Sequence, residues 1–368
     1  MPSTRVVHIC ATLGIGGLEQ VVVDLVRSAR QEGHDDRVLT FDARDDAEPE
    51  NALAATVPVT HVQRRRRLDA SLVRATAREL QRCHARIVHA HNTTALVLAA
   101  LARLCIPRSR RPALVTTYHN PPVAAGWVTR QLARWAARYA QAVVTVSQDL
   151  RERLRAAGYV RDAQVIANGV DVERFAPRSH RDSGLLRVGM LARLAPPKRH
   201  DLLLEAARRL EERGAAIDVS IAGDGPDRAP ILAALQRVPH AEWRGTVIDV
   251  PAFLHHIDVL AVLSDHEGLP LAMLEGMAAG LPVIASDVGG IPAAAGEPDG
   301  VILIQNEVAE LVQAIDGLRL ASRRSELGAR GRASAERRHG LARMVRSYRL
   351  MYEGASRSRP GSDVTPLD

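Results

Sequence analysis

The stretch VVHICATLGIGGLEQVVVDLVRSA, from Val6 to Ala29, decides the fold class. Val6–Cys10 is short, apolar and rich in β-branched residues, which reads as a strand. Gly14-Ile15-Gly16-Gly17 then turns the chain. Leu18, Val21, Val22, Leu25, Val26 and Ala29 follow at helical spacing, so a helix is expected directly after the glycines. The same strand-to-helix alternation continues, with further strands predicted at Val38–Phe41, Ile87–Ala90, Leu114–Thr117, Val143–Val146 and Gln164–Ala167. Repeated βα units imply an α/β fold with a parallel sheet covered by helices on both faces.

The pattern lapses over 174–184 into a polar stretch containing Pro177, Arg178, Ser179, His180, Arg181 and Asp182, which suits a linker. It then restarts, with strands predicted at Leu186–Leu191, Val219–Ala222, Val259–Leu263, Val283–Ala285 and Val301–Ile304. Two Rossmann-like domains are therefore expected, at 1–175 and 176–340, facing each other across a cleft. A C-terminal helix over 341–354 is expected to return to the first domain, and 355–368 reads as a frayed tail. Ligands of open α/β sheets sit at the carboxyl ends of the strands, so those loops are where chemistry is sought.

Composition narrows the class. At 368 residues the chain can bury two cores. No apolar run approaches the roughly 20 residues that span a bilayer. Met1–Thr4 leads straight into Val6–Cys10, so no signal peptide is expected, and Cys10, Cys83 and Cys105 show no disulfide or metal spacing. A cytoplasmic protein is the expectation. The net charge of +7 points to an acidic partner, whether nucleotide, nucleic acid or anionic membrane. Among 49 basic residues one is lysine, Lys198; codon bias explains the arginines but not the place of that lysine.

EGLPLAMLE, Glu267 to Glu275, carries the strongest chemical signal. It follows a predicted strand and opens a helix, with Pro270 near the first turn. Its carboxylates can accept sugar or ribose hydroxyls, and the N–H groups of Gly268, Leu269 and Leu271 can face an anion. The bland alternative is a solvated loop glutamate plus a helix-capping one. A second signal is GMLARLAPPKRH, Gly189 to His200. Arg193 can fork onto phosphate oxygens while Lys198 offers a point charge. A cation in a first helical turn opposes the helix dipole, so Lys198 and Arg199 call for an anion beside them.

Together with Gly14–Glu19, His89, His91, Asn92, Thr117, His119, Asn120, Asn168, Asp171, Phe175, Gly223 and Gly225, these fragments resemble in order and spacing the retaining, metal-independent GT-B glycosyltransferases of family 4. The resemblance covers nearly the whole chain. It implies that Glu275 binds the donor's ribose and Glu267 the hydroxyls of the transferred sugar. Arg193 and Lys198 would neutralise the leaving diphosphate. Gly16 and Gly17 would let the backbone approach phosphate or acceptor, and Thr246-Val247 would read the base. His119 would lie near the reacting sugar. No metal or other cofactor is implied, and the leaving phosphate would take the acceptor's proton in a front-face attack.

Each residue also has a structural reading. His119 can be a satisfied structural histidine; His89 and His91 are read as alternating along a strand, so that one alone faces the cleft. Asp171 reads as a turn residue, and Gly223 and Gly225 as shaping a turn. Two basic stripes, Arg64–Arg67 with Arg74, Arg78 and Arg82, and Arg130, Arg134 and Arg138 beside Trp127, Trp135 and Tyr139, are either solvated helix faces or contacts to anionic lipid at the inner membrane face.

The function expected is transfer of a hexose-type sugar, with retention, from a UDP-sugar to a glycolipid or polysaccharide-precursor hydroxyl. The alternatives are a nucleotide-sugar epimerase or phosphorylase of the same fold and, further off, a basic nucleic-acid binder. Aromatic residues make up 3% of the chain, too few for base stacking, so no nucleic-acid partner is expected.

Overall fold

The computed structural model describes residues 5–42, 54–65, 69–122, 126–177, 184–296 and 300–357. The chain divides into two compact units, one of residues 1–166 with 345–368 and one of 167–344.

The first unit holds strands β1 (Val6–Cys10), β2 (Arg37–Thr40), β3 (Val59–His61), β4 (Ile87–Ala90), β5 (Ala113–Tyr118), β6 (Ala142–Thr145) and β7 (Gln164–Val165). All described pairings are parallel, in the order β3-β2-β1-β4-β5-β6-β7. Helices α1 (Gly17–Gln31), α2 (Ala70–Arg82), α3 (Thr93–Leu104), α4 (Trp127–Arg138) and α5 (Gln148–Ala156) alternate with them. Val21, Val22, Leu25, Val26 and Ala29 of α1 are buried, as the spacing requires. Connections run outward in both directions from β1 and β4, so the topological switch point lies between those two strands.

The second unit repeats the plan with β8 (Leu186–Leu191), β9 (Ile217–Ala222), β10 (Ala241–Trp243), β11 (Val259–Val262), β12 (Val283–Ser286) and β13 (Val301–Ile304), parallel in the order β10-β9-β8-β11-β12-β13. Its helices are α6 (His200–Glu212), α7 (Arg228–Leu235), α8 (Val250–His256), α9 (Leu271–Ala278), α10 (Ile291–Ala295), α11 (Val308–Asp316) and α12 (Ala321–Arg338). Its switch point lies between β8 and β11. The core is made by inward residues of the sheet, among them Val188, Val219, Val259 and Ile284, against Leu203, Leu210, Leu311 and Ile315 of α6 and α11. The last helix, α13 (Leu341–Arg357), passes from one unit to the other, its residues from Val345 onward belonging to the first. Among the described residues no helix is long and apolar enough to cross a membrane.

Three sequence expectations need correction. Strands β3 and β10 are absent from the sequence expectation because each has three residues at a sheet edge and no continuous apolar run. The division falls after Ile166 rather than after 175, because the segment from Ala167 is bonded into the second unit. Val170 N and O join His339 and Leu341, Asn168 reaches Leu269, and the Phe175 carbonyl accepts from Arg332. The helix expected to end near 354 continues to Arg357, with Ala355 buried. Most of the polar linker and of the tail, 178–183 and 358–368, lies outside the described residues.

Candidate active site

Because all strands of the second sheet are parallel, every loop at their carboxyl ends emerges on one edge. Arg193 and Lys198 follow β8, Gly223–Asp227 follows β9, Thr246 and Val247 follow β10, Glu267 follows β11, and Asp287–Gly290 follows β12. Those after β8 and β11 flank the switch point, and there the ammonium of Lys198 is ion-paired with a carboxylate oxygen of Glu267. The Glu267 side chain is 8% exposed and that of Lys198 26%. Removing Lys198 would leave the buried Glu267 charge uncompensated, a loss of about 3–5 kcal/mol.

The backbone holds the pair in place. Lys198 and Ser264 form an antiparallel bridge. Asp265 N donates to Pro197 O at 2.8 Å, Arg199 N to Leu263 O at 3.1 Å, and Ser264 Oγ to Pro197 O at 2.8 Å. Ser264 is itself held: its N–H donates to Ser286 Oγ, and its carbonyl accepts from Asn306 Nδ2. Gly290 N donates to Glu267 O at 3.2 Å. Gly289 has a φ of 59°, and a Cβ there would stand 1.9 Å from that same carbonyl oxygen. From the other side Asn168 Nδ2 donates to Leu269 O at 2.8 Å.

This geometry revises the argument from the helix dipole. The anions beside Lys198 and Arg199 are the protein's own: Glu267 for the lysine, Asp201 and Asp265 for the arginine. Arg199 is the residue before α6 and His200 its first, so Lys198 stands outside the helix. Arg193 is exposed. Its loop is fixed by Leu194 N on Asp224 O and Asp227 N on Leu194 O, which brings the backbones so close that a Cβ at Gly225 would lie 2.2 Å from Leu194 O. Gly223 and Gly225 therefore shape this turn. Thr246 and Val247 are half-buried beside β10, and Trp243 Nε1 donates to Gly223 O. Gly268, Leu269 and Leu271 are buried, Pro270 precedes α9 without a side-chain hydrogen bond to cap it, and Glu275 sits half-buried on its second turn.

In the first unit Gly16 precedes α1 in extended backbone and Gly17 begins it. His119 follows β5 and is 8% exposed. His89 and His91 do not take opposite faces. Residues two apart on a strand share a face, and their rings lie 3.9 Å apart, centre to centre. His8, in register with His89 on β1, completes the group. His8 Nδ1 is 2.9 Å from His91 Nε2, and His91 Nδ1 is 3.3 Å from His119 Nε2. His89 bonds Tyr352 OH at 2.7 Å and Thr117 Oγ1 at 2.8 Å, and Thr117 meets Tyr348 OH at 3.1 Å. Burial pushes His8 down to about 3 and His119 to about 4, and holds His89 and His91 well below the ordinary imidazole range. Ligand atoms of His8, His89 and His91 lie within 4.8 Å of one another, the one such group among the described residues. Both ring nitrogens of His89 and of His91 are in hydrogen bonds already.

The basic stripes divide. Arg134 lies over the Tyr159 ring and donates to Ala157 O, and Arg82 pairs with Glu79. Arg130 is half-buried and Arg138 exposed, near the exposed Trp127, Val128 and Tyr139. Arg64 pairs with Asp42; Arg66 and Arg67 lie outside the described residues.

The sequence profile of Glycosyltransferase Family 4 matches residues 15–174, and that of Glycosyl transferases group 1 matches 186–319. The chain belongs to glycosyltransferase family 4. Among family relatives, a GDP-mannose-dependent alpha-mannosyltransferase of Mycobacterium tuberculosis is 33% identical over 258 residues, 63% of this chain and 65% of that one. A UDP-Gal:alpha-D-GlcNAc-diphosphoundecaprenol alpha-1,3-galactosyltransferase of Escherichia coli is 32% identical over 171 residues, 41% of this chain and 43% of that one. The chain spans roughly a third to two thirds of the curated relatives it matches. The crystal structure of Anabaena Alr3699/HepE in complex with UDP-glucose superposes with a TM-score of 0.81 over 95% of this chain and 99% of that one, at 20% identity. The two-domain α/β fold is thus GT-B.

The contact of Gly289 with Glu267 makes a prediction. Gly289→Ala combines the strain of a positive φ with a backbone collision, whereas Gly214→Ala, at a φ of 69° with open space around it, carries strain alone. Gly214→Ala should cost about 1 kcal/mol and Gly289→Ala at least about 2 kcal/mol more. Thermal unfolding of both variants measures the difference, and equal midpoints would contradict it.

Proposed function

We propose that the chain transfers a hexose-type sugar, with retention and without a metal, from a UDP-sugar to a hydroxyl of a glycolipid or polysaccharide precursor. The observation that supports this most is the Lys198–Glu267 pair, fixed at the switch point beside the N-terminus of α9. A carboxylate there accepts hydrogen bonds from hydroxyls. An ammonium, Arg193 and the N–H groups of Gly268, Leu269 and Leu271 favour a diphosphate.

In this reading Glu275 accepts from the ribose, Thr246-Val247 meets the base, and Glu267 accepts from the transferred sugar. Gly16 and Gly17 give the backbone room beside phosphate or acceptor. The acceptor oxygen bonds to the anomeric carbon on the face from which the nucleotide leaves, the bond to the diphosphate breaks, and the acceptor proton passes to a leaving phosphate oxygen. Arg193 and Lys198 stabilise the charge that develops there, and His119 stands near the reacting sugar. UDP is favoured by neighbours such as HepE with UDP-glucose. The mannosyltransferase relative favours a GDP-sugar instead; a thermal-shift comparison of UDP and GDP separates the two. The exposed Trp127 and Tyr139 with Arg130 and Arg138 support a peripheral contact with anionic lipid.

The ion pair sharpens the tests. Glu275→Gln should weaken UDP binding about tenfold in calorimetry. Glu267→Gln should leave UDP affinity unchanged or tighter, because it releases Lys198 toward phosphate, while lowering turnover at least about tenfold. Loss of nucleotide affinity in both would contradict this division. EDTA should leave initial rates unchanged; activity lost and restored by Mg²⁺ or Mn²⁺ would refute the metal-free mechanism. Arg130→Gln with Arg138→Gln should reduce co-sedimentation with anionic vesicles, more at low salt than at high, and indifference of the wild-type protein to such vesicles would end the lipid proposal.

A further inference from the structure

The imidazoles of His8, His91 and His119 form a hydrogen-bonded row, 2.9 Å and 3.3 Å at its two links. Desolvation keeps all three neutral. A neutral imidazole carries one N–H and one lone pair. His91 therefore donates through one nitrogen and accepts through the other, so both links must run in the same direction. The protons point either from His8 toward His119 or from His119 toward His8.

Two observations choose between these. In the second arrangement His8 carries its proton on Nε2, a buried atom with no hydrogen-bond partner among the described residues. An orphaned buried N–H is the rarer and costlier defect; a bare acceptor is tolerated more often. The charge of Arg349 on α13 also acts on His8. That guanidinium pairs with Glu32 through Nε at 3.4 Å and with Asp36 through Nη1 at 3.7 Å, beyond hydrogen-bond length, and its buried Nη1 and Nη2 have no hydrogen-bond partner among the described residues. A cation favours a lone pair on His8 over another N–H.

We propose that His8 is a positioning residue which, through His91, holds His119 in the tautomer protonated at Nδ1. His119 then offers its open nitrogen as a hydrogen-bond donor to a sugar or acceptor oxygen, and does not serve as a base there. His8 sits on β1, His91 just after β4 and His119 just after β5, so the row crosses the switch point of the first sheet. The tautomer is a property of the protein alone; its effect on turnover rests on the role proposed above for His119.

Long-range proton–nitrogen correlation spectra of the full chain, labelled with ring-¹⁵N histidine, read the tautomer directly. His119 is assigned by loss of its signals in His119→Gln. The expected result is a protonated Nδ1 and a bare Nε2 on His119. His8→Leu should move His119 toward Nε2 protonation and lower kcat about tenfold, with the donor KM within about twofold. His8→Asn, whose amide can donate where Nδ1 did, should keep the tautomer and most of kcat. A wild-type His119 protonated at Nε2 overturns the polarity, and an unchanged His119 in folded His8→Leu overturns control by His8. Tautomer changes with unaltered kcat would uphold the relay and overturn the role of His119 in turnover. The wild-type spectrum decides the polarity even if the Leu variant does not fold.

Discussion

A carboxylate taken out of water needs a cation against it, and Lys198 supplies one to Glu267. The two residues are 69 positions apart and meet because β8 and β11 are neighbours in the sheet while the chain between them builds β9 and β10. The detail of this edge follows from keeping that pair placed. Ser264, Ser286 and Asn306 bond to each other and to the segment before Lys198, so the loop after β11 cannot drift. Gly289 and Gly290 close over the Glu267 carbonyl, which only a glycine with positive φ allows at the first of these positions. Asn168 ties the next turn. A charged pair held this way is pre-organised: little rearrangement is needed to present an ammonium and a carboxylate to a polar ligand.

The first unit meets a different constraint at its own switch point. His8, His89 and His91 are wholly buried, and with no carboxylate among the described residues bonded to them they lose the charged form. Hydrogen-bond partners that carry no charge must then satisfy them. Tyr352 and Thr117 do so for His89, and Tyr348 completes Thr117. These tyrosines come from α13, 263 residues along the chain from His89 in the case of Tyr352. The last helix therefore finishes a polar network inside the first unit as well as burying Met351 and Ala355.

The fold was largely legible, because apolar periodicity reports burial and both sheets are buried on two faces. The strands expected at Val6–Cys10 and Leu186–Leu191 have the same bounds in the structure. Edge strands β3 and β10 carry no such signal, since an edge can be short and half-polar. The site was legible only as residue types. Glu267 and Lys198 stood out as charges near strand ends, but no local pattern says that they neutralise each other. That requires knowing that β8 and β11 are adjacent. Gly289, Ser264, Ser286 and Asn306 carried no signal, because their roles lie in backbone approach and cross-strand bonds. For the histidines the reason is simpler: positions two apart on a strand point the same way, so His89 and His91 belong on one face.

The two units thus put opposite chemistry on the same topology. In each, the loops beside the switch point form the place where a ligand can approach several strand ends at once. The second unit furnishes that place with formal charges, Lys198, Glu267 and Arg193, and with the uncapped start of α9. Such groups suit a ligand that is both anionic and rich in hydroxyls. The first unit furnishes it with glycines at the start of α1 and with imidazoles stripped of charge. Neutral donors and acceptors gain little from a phosphate but can orient a single hydroxyl, where direction matters more than charge. In the proposed reaction, a sugar nucleotide and an uncharged acceptor oxygen make different demands of these two kinds. One fold used twice can meet both, because the topology fixes where the loops lie and leaves their residues free to differ.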